Sequence, residues 1–184
     1  MQRLETKLEG PALLQPIVHR DERGFFLETY RRSALAELGI EDEFVQSNHS
    51  RSRRGVVRGM HFQPGTAKLI RCARGVIYDV AVDLRRGSPT FGQWEGTELS
   101  DSNHHQFYCP DGFAHGFCVL SEVADVVYML SAYYDPAHER GFAYDDPAVG
   151  IVWPAGAELI VSARDAGAPP LAAIAESLPF EYRG

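Results

Sequence analysis

The residues best suited to chemistry lie between Gln46 and Gln63, in the run QSNHSRSRRGVVRGMHFQ. Arg51, Arg53, Arg54 and Arg58 gather there around Gly55 and Gly59, and the run closes on His61, with Lys68 just beyond it. An imidazole titrates near neutral pH, so it can take up a proton and give it back. Arginine forks match paired anionic oxygens. Together these side chains point to proton transfer beside a bound anion. On residue types alone a plainer alternative stays open, in which the histidine is only hydrogen-bonded and the arginines form a solvated face. Tyr128 and Tyr134 make a second candidate pair. Two phenols in one barrel mouth can do different work, one donating a proton and one stacking on a flat ring, or both can simply pack with their hydroxyls in solvent. Arg23 and Glu28, in DERGFFLETY at residues 21–30, are candidates too, or else an ion pair on an edge strand.

These groups need rigid elements to hold them. The apolar, β-branched run Gly55–Phe62 predicts a strand, which places His61 in or beside a core. Further strands are predicted over residues 25–30, 44–48, 68–74, 76–85, 93–99, 106–109, 114–120 and 123–134, after a lead-in strand broken at Pro16. Pro64-Gly65, Gly87-Ser88-Pro89 and Pro110-Asp111-Gly112 supply turns between them. A short helix is expected over Ala34–Leu38, capped by Ser33 and stopped at Gly39, and another over Pro169–Leu178. No other helix is expected before the C-terminus. Many short, closely spaced strands predict an all-β sandwich or barrel. Side chains alternate along a strand. Val76, Tyr78, Val80, Val82 and Leu84 should therefore share one face, with Ile77, Asp79, Ala81, Asp83 and Arg85 on the other. The same rule puts Tyr128 and Tyr134 on one face of the 123–134 strand. Arg58 and His61 are three apart and fall on opposite faces of a regular strand, unless Gly59 carries a bulge. Otherwise Arg58 belongs to a different wall.

The chain has 184 residues, the size of one domain over 1–184, and 45% hydrophobic residues, enough for a full core. Eighteen basic against 25 acidic residues give a formal charge of −7, a poor basis for general nucleic-acid binding. A phosphorylated ligand would have to rely on the local cluster from Arg51 to Arg74. No apolar run is long enough to cross a bilayer, and no signal-peptide pattern opens the chain. Cys72, Cys109 and Cys118 are odd in number and lack metal-type spacing, which predicts reduced, buried thiols in a cytoplasmic protein.

Several blocks in order carry a resemblance: D-E-R-G-F-F-L-E (21–28), Q-S-N-H-S-R (46–51), R-G-M-H-F-Q (58–63), K-L-I-R (68–71), D-V-A-V-D-L-R-R-G-S-P-T-F-G (79–92), G-F-A-H-G-F (112–117), the Tyr128–Glu139 region, D-D-P-A-V-G-I-V-W-P (145–154) and S-A-R-D (162–165). Over nearly its whole length the chain resembles the dTDP-4-dehydrorhamnose 3,5-epimerases. The resemblance implies a cupin-type double-stranded β-helix, or jelly-roll, barrel with short N- and C-terminal helices. It implies His61 as catalytic base with Asp165 as its dyad partner, Tyr128 as the acid on the opposite face of the sugar, and Lys68 beside the C4 oxygen. It implies substrate contacts from Arg23, Glu28, Gln46, Asn48, Arg58, His115, Glu139 and Arg164, with Tyr134 stacking on the nucleotide base. The implied assembly is a homodimer exchanging N-terminal strands, so that Arg23 and Glu28 serve the neighbouring subunit's site. The partner is a nucleotide-diphosphate sugar, with no nucleic acid, no membrane, and no metal or organic cofactor. The Gln63–Lys68 link, P-G-T-A, is shorter than the family's usual Pro-rich loop. Two rivals use the same barrel. A metal-dependent cupin wants several histidines on one ion, but Gln63 stands two residues after His61, where a second ligand would be expected, and His104-His105 is an adjacent pair. A sugar-binding cupin needs no base opposite an acid. Within the family, inversion at C3 alone or C5 alone uses the same residues.

Overall fold

The computed structural model describes residues 1–154 and 158–183. In chain order its elements begin with strands β1 (Gln2–Leu4), β2 (Ala12–Gln15), β3 (Val18–Asp21) and β4 (Gly24–Leu27) and helix α1 (Arg32–Ala36). Strands β5 (Gln46–Arg53), β6 (Val57–Phe62), β7 (Lys68–Arg74), β8 (Val76–Asp83) and β9 (Trp94–Ser100) follow. Then come β10 (Gln106–Cys109), β11 (Phe113–Val119), β12 (Val123–Leu130) and β13 (Arg140–Gly141). Helices α2 (Ala163–Ala166) and α3 (Leu171–Ile174) and a 3₁₀ turn (Ala175–Ser177) close the chain.

One sheet runs β1-β2-β10-β7-β12-β5, the other β13-β6-β11-β8-β9, and β3-β4 is a separate hairpin. Every pairing between these strands is antiparallel. From β5 to β8 the chain crosses between the two large sheets at every step, and it does so again from β9 to β12, which is the jelly-roll route. The barrel is filled by Ile70, Cys72, Ile77, Ala81, Leu99, Phe107, Phe117, Ala124 and Val126, among others. Burying each large side chain of this kind contributes about 1.5–3 kcal/mol. The alternation of β8 divides its side chains between layers. Ile77 and Ala81 enter the barrel core, while Tyr78, Val80, Val82 and Leu84 face outward beneath a second layer of Phe142, Leu171, Leu178 and Phe180. Leu35 of α1 covers the other sheet with Ile40 and Phe44.

Several elements end where side-chain chemistry, not hydrophobic pattern, decides. β8 stops at Asp83 because its carboxylate folds the chain back. It accepts from Arg85 N and Nε, Ser88 Oγ and Thr90 Oγ1. β12 stops at Leu130, not at Tyr134, where the Ser131 hydroxyl accepts from Ala67 N at 2.8 Å in place of the next ladder carbonyl. β4 stops at Leu27 rather than Tyr30, and β5 begins at Gln46 and runs on to Arg53. Gly55 sits in the turn before β6 with φ +81°. α1 starts two residues earlier than predicted: Arg31 is its N-cap and Ser33 lies inside it, so Ser33 does not cap it. α2 is a helix that the sequence pattern does not predict, started by Ser162, whose hydroxyl accepts from Asp165 N.

The irregularity that matters most lies in β6. His61 pairs with His115 and Arg58 with Phe117, so three steps along β6 match two along β11. This is a bulge with one extra residue, and it returns Arg58 and His61 to the same wall. Gly59 has φ +139°, and a Cβ there would stand 2.6 Å from Gly116 Cα. Gly59→Ala is therefore expected to cost about 2–4 kcal/mol of stability. Denaturant unfolding of the variant checks this; an unchanged midpoint would show that the bulge relaxes around a side chain.

Candidate active site

His61 on β6 and Asp165 on α2 meet at the barrel mouth, with Nε2 to Oδ1 at 2.7 Å. The histidine side chain is 23% exposed and the aspartate 6%. Asp165 is fixed from behind by the Ser162 cap, 3.1 Å from its backbone N. A carboxylate can only accept, so the ring hydrogen in this contact sits on Nε2. Nδ1 is then the free basic nitrogen. Lys68 Nζ donates to His61 O at 3.3 Å, which keeps the ammonium beside this histidine.

The cavity in front of this dyad measures about 600 Å³. Of the predicted site residues, His61, Asp165, Tyr128, Lys68, Gln46, Asn48, Arg58, His115, Tyr134, Glu139 and Arg164 line it. Arg23 and Glu28 do not. Arg23 pairs with Asp21 on the β3–β4 hairpin, and Glu28 with Arg31. β5 contributes Gln46 and Asn48 by alternation, with Asn48 directly opposite Tyr128 on β12. Gln46 Nε2 donates to Asn48 Oδ1 at 2.9 Å. Arg58 Nε donates to Ser52 Oγ at 3.1 Å. At the outer rim Tyr134 Oη donates to Glu139 Oε2 at 3.0 Å, and Arg164 donates to the same oxygen. Tyr134 reaches the cavity from the segment after β12, so the shared-strand-face argument for the two tyrosines does not hold.

The electrostatics suit a neutral base beside a buried cation. Burial holds the His61 imidazole below its usual value, although Asp165 pulls the other way. Burial also lowers the Lys68 ammonium, against the opposing charges of Glu139 and Asp79. Glu139, which burial alone would raise, is held below the ordinary carboxylate range by Arg164, His61 and Tyr134. Its hydrogen bond to the Tyr134 hydroxyl in turn raises that phenol.

Three functional neighbours escaped the sequence reading. Asp79, wholly buried, holds His115 Nε2 at 2.9 and 3.0 Å, making a second His–Asp pair directly across the strands from the first. A charged residue between Ile77 and Ala81 on a core face was the available signal. Gln63 and Ser162 gave no comparable sign, because their value lies in which backbone they hold. Among the described residues no group of three or more His, Cys, Asp or Glu side chains forms a metal-binding set. No described helix is long and apolar enough to cross a membrane.

This constellation can abstract a proton on one side of a bound molecule, hold the resulting oxyanion with an ammonium, and return a proton from a phenol. The family model described as dTDP-4-dehydrorhamnose 3,5-epimerase matches residues 5–173. The dTDP-4-dehydrorhamnose 3,5-epimerase of Salmonella typhimurium is 48% identical over 91% of this chain and 94% of its own. A dTDP-4-dehydrorhamnose 3-epimerase of Streptomyces niveus is 43% identical over 93% of this chain and 89% of its own. The crystal structure of dTDP-6-deoxy-D-glucose-3,5-epimerase from Legionella pneumophila Philadelphia 1, in complex with dTDP-4-keto-L-rhamnose, superposes with a TM-score of 0.96 at 44% identity. It covers 100% of this chain and 99% of that one.

The dyad makes a spectroscopic prediction. His61 should titrate by NMR below the usual imidazole value of about 6.5. Asp165→Asn should move it further down, since the carboxylate that favours the imidazolium is gone. An upward move would mean that Asp165 does not stabilise the charged ring.

Proposed function

The chain belongs to the dTDP-4-dehydrorhamnose 3,5-epimerase family, and on that premise we propose that it converts dTDP-4-dehydro-6-deoxy-D-glucose to dTDP-4-dehydro-L-rhamnose by inverting C3 and C5. The observation that carries this reading is the convergence of His61–Asp165, Lys68 and Tyr128 on one cavity.

A 4-keto sugar acidifies the hydrogens on both carbons beside its carbonyl, because the carbanion spreads onto the C4 oxygen as an enolate. His61 Nδ1 takes the C–H proton. Asp165 holds the tautomer and steadies the imidazolium as it forms, without itself taking the proton. Lys68 stabilises the charge that grows on the C4 oxygen. Tyr128 delivers a proton to the opposite face, which inverts the centre. A positioned acid–base pair of this kind is worth roughly 10²–10⁴-fold in rate. Arg58 suits the diphosphate, Tyr134 the face of the base, and Gln46, Asn48, His115, Glu139 and Arg164 the remaining polar groups of the substrate. The Streptomyces niveus relative keeps a single-carbon outcome in view as the second reading.

The working unit is a homodimer exchanging N-terminal strands. The β3–β4 hairpin supports this: it joins neither large sheet and exposes Phe25 and Phe26 at 56% and 72%. Two strands alone are marginal in water, so this pair needs a second surface. A neighbouring copy would cover the phenylalanines and bring Arg23 and Glu28 to the other subunit's cavity. The free, buried Cys72, Cys109 and Cys118 suit a reducing cytoplasm.

Incubation with dTDP-4-keto-6-deoxyglucose in deuterated water tests the activity. Deuterium and inversion at both C3 and C5 are expected; label at one carbon alone would favour the single-carbon reading, and none at either would overturn the proposal. His61→Asn should abolish exchange at both carbons while dTDP still binds. Subunit mixing tests the exchange of strands. Arg23→Ala and His61→Asn chains, each inactive alone, should regain activity when mixed, because one site of the mixed dimer combines an intact His61 with the partner chain's intact arginine. No recovery on proven subunit exchange would place Arg23 outside the neighbour's site.

A further inference from the structure

Tyr134 is 45% exposed and belongs to none of the buried clusters, so packing does not fix its ring, which is held at its hydroxyl by Glu139. It also lies beyond β12, so no sheet ladder fixes its backbone. Two glutamine side chains do this work. Gln46 Oε1 accepts from Tyr134 N at 2.9 Å. Gln63, only 9% exposed, brackets the same residue on both sides. Its Nε2 donates to Tyr133 O at 3.0 Å and to Thr66 Oγ1 at 2.9 Å, and its Oε1 accepts from Asp135 N at 2.8 Å. The orientation of this amide is determined, since turning it over would set an NH₂ against the Asp135 N–H and an oxygen against the Tyr133 carbonyl. The same short loop is tied to the segment a second time: Ala67 N donates to Ser131 Oγ at 2.8 Å, and Ser131 N to Ala67 O at 3.0 Å.

We propose that Gln63 is a positioning residue: it ties the 63–67 loop to the 131–135 segment as one unit and so sets where Tyr134 grips the nucleotide. The proposal rests on the reading above in which Tyr134 stacks on the base. Gln63 lies two residues from His61, and the loop it begins ends at Lys68. The loop therefore sets the distance between the proton-transfer groups and the base-holding ring. A loop of different length would move Tyr134 relative to His61, which makes this link a determinant of which nucleotide sugar fits.

The test compares dTDP affinity by calorimetry for wild type, Gln63→Met, Tyr134→Ala and the double variant. Methionine matches glutamine in size but makes none of its three hydrogen bonds. Gln63→Met should weaken dTDP binding about tenfold, the scale of one to two lost hydrogen bonds. KM for the sugar nucleotide should rise in step, with kcat within about twofold of wild type. In the double variant the loss should be no greater than in Tyr134→Ala alone, because Gln63 acts through that ring. If methionine prevents folding, Gln63→Glu keeps the size and the acceptor but offers no donor to Tyr133 O, and the same loss is expected. Three results would overturn the proposal: wild-type dTDP affinity in the Gln63 variants, losses that multiply in the double variant, or wild-type affinity in Tyr134→Ala. An inactive wild type that still binds dTDP would instead count against the epimerase reading and leave this comparison standing.

Discussion

The contact between His61 and Asp165 spans 104 residues of sequence, and much of the architecture serves to close it to 2.7 Å. One partner rides on a strand of the barrel. The other rides on a four-residue helix, too short to be stable by itself, which is held in place by its Ser162 cap and by this contact. An aspartate side chain only 6% exposed needs a partner, since a buried carboxylate left unpaired costs several kcal/mol. The pair thus anchors the C-terminal segment over the barrel mouth and fixes the tautomer of the imidazole in one interaction.

The same economy runs along β6 and β11. The bulge at Gly59 gives the wall both its arginine and its histidine, and the close approach of Gly116 allows it. Directly across the strands, His115 and Asp79 repeat the imidazole–carboxylate pairing, with Asp79 wholly buried. Burial raises Asp79 while the His115 ring opposes that shift. Lys68 stands near both pairs, and burial lowers it in turn. The interior of the cavity is therefore a set of coupled charges in a poorly solvated space, where an enolate oxygen would meet an ammonium with little water to screen it.

Much of this was legible in the chain. The alternation in β8 divides its side chains between two layers as the pattern requires, and the strand density predicts the barrel. Most of the candidate residues reach one cavity. The rest depends on partners distant in sequence or on elements too short to show a period. The predicted 123–134 strand overruns because Ser131–Tyr134 has no strong breaker before Pro136, whereas the ladder ends where the Ser131 hydroxyl takes the N–H of Ala67, 64 residues away. α2 is too short to show a helical period. Ser33 has the residue type of a cap, but the backbone enters the helix earlier, at Arg31. Gln63 is an ordinary amide until its three partners are seen. Arg23 and Glu28 are a different case: they lie in and just after the β3–β4 hairpin, which joins neither large sheet, so they stand outside the cavity of their own chain.

The central claim is that His61 removes a proton from one face of the sugar and Tyr128 returns one to the other. Tyr128→Phe separates these steps with the loss of one oxygen. In deuterated water the variant should still wash deuterium into C5 or C3, because His61 and Lys68 remain, but with configuration retained. Inverted product should fall by roughly 10²-fold or more. Inversion at the wild-type rate would contradict the account and pass the role of acid to Tyr134 or to water.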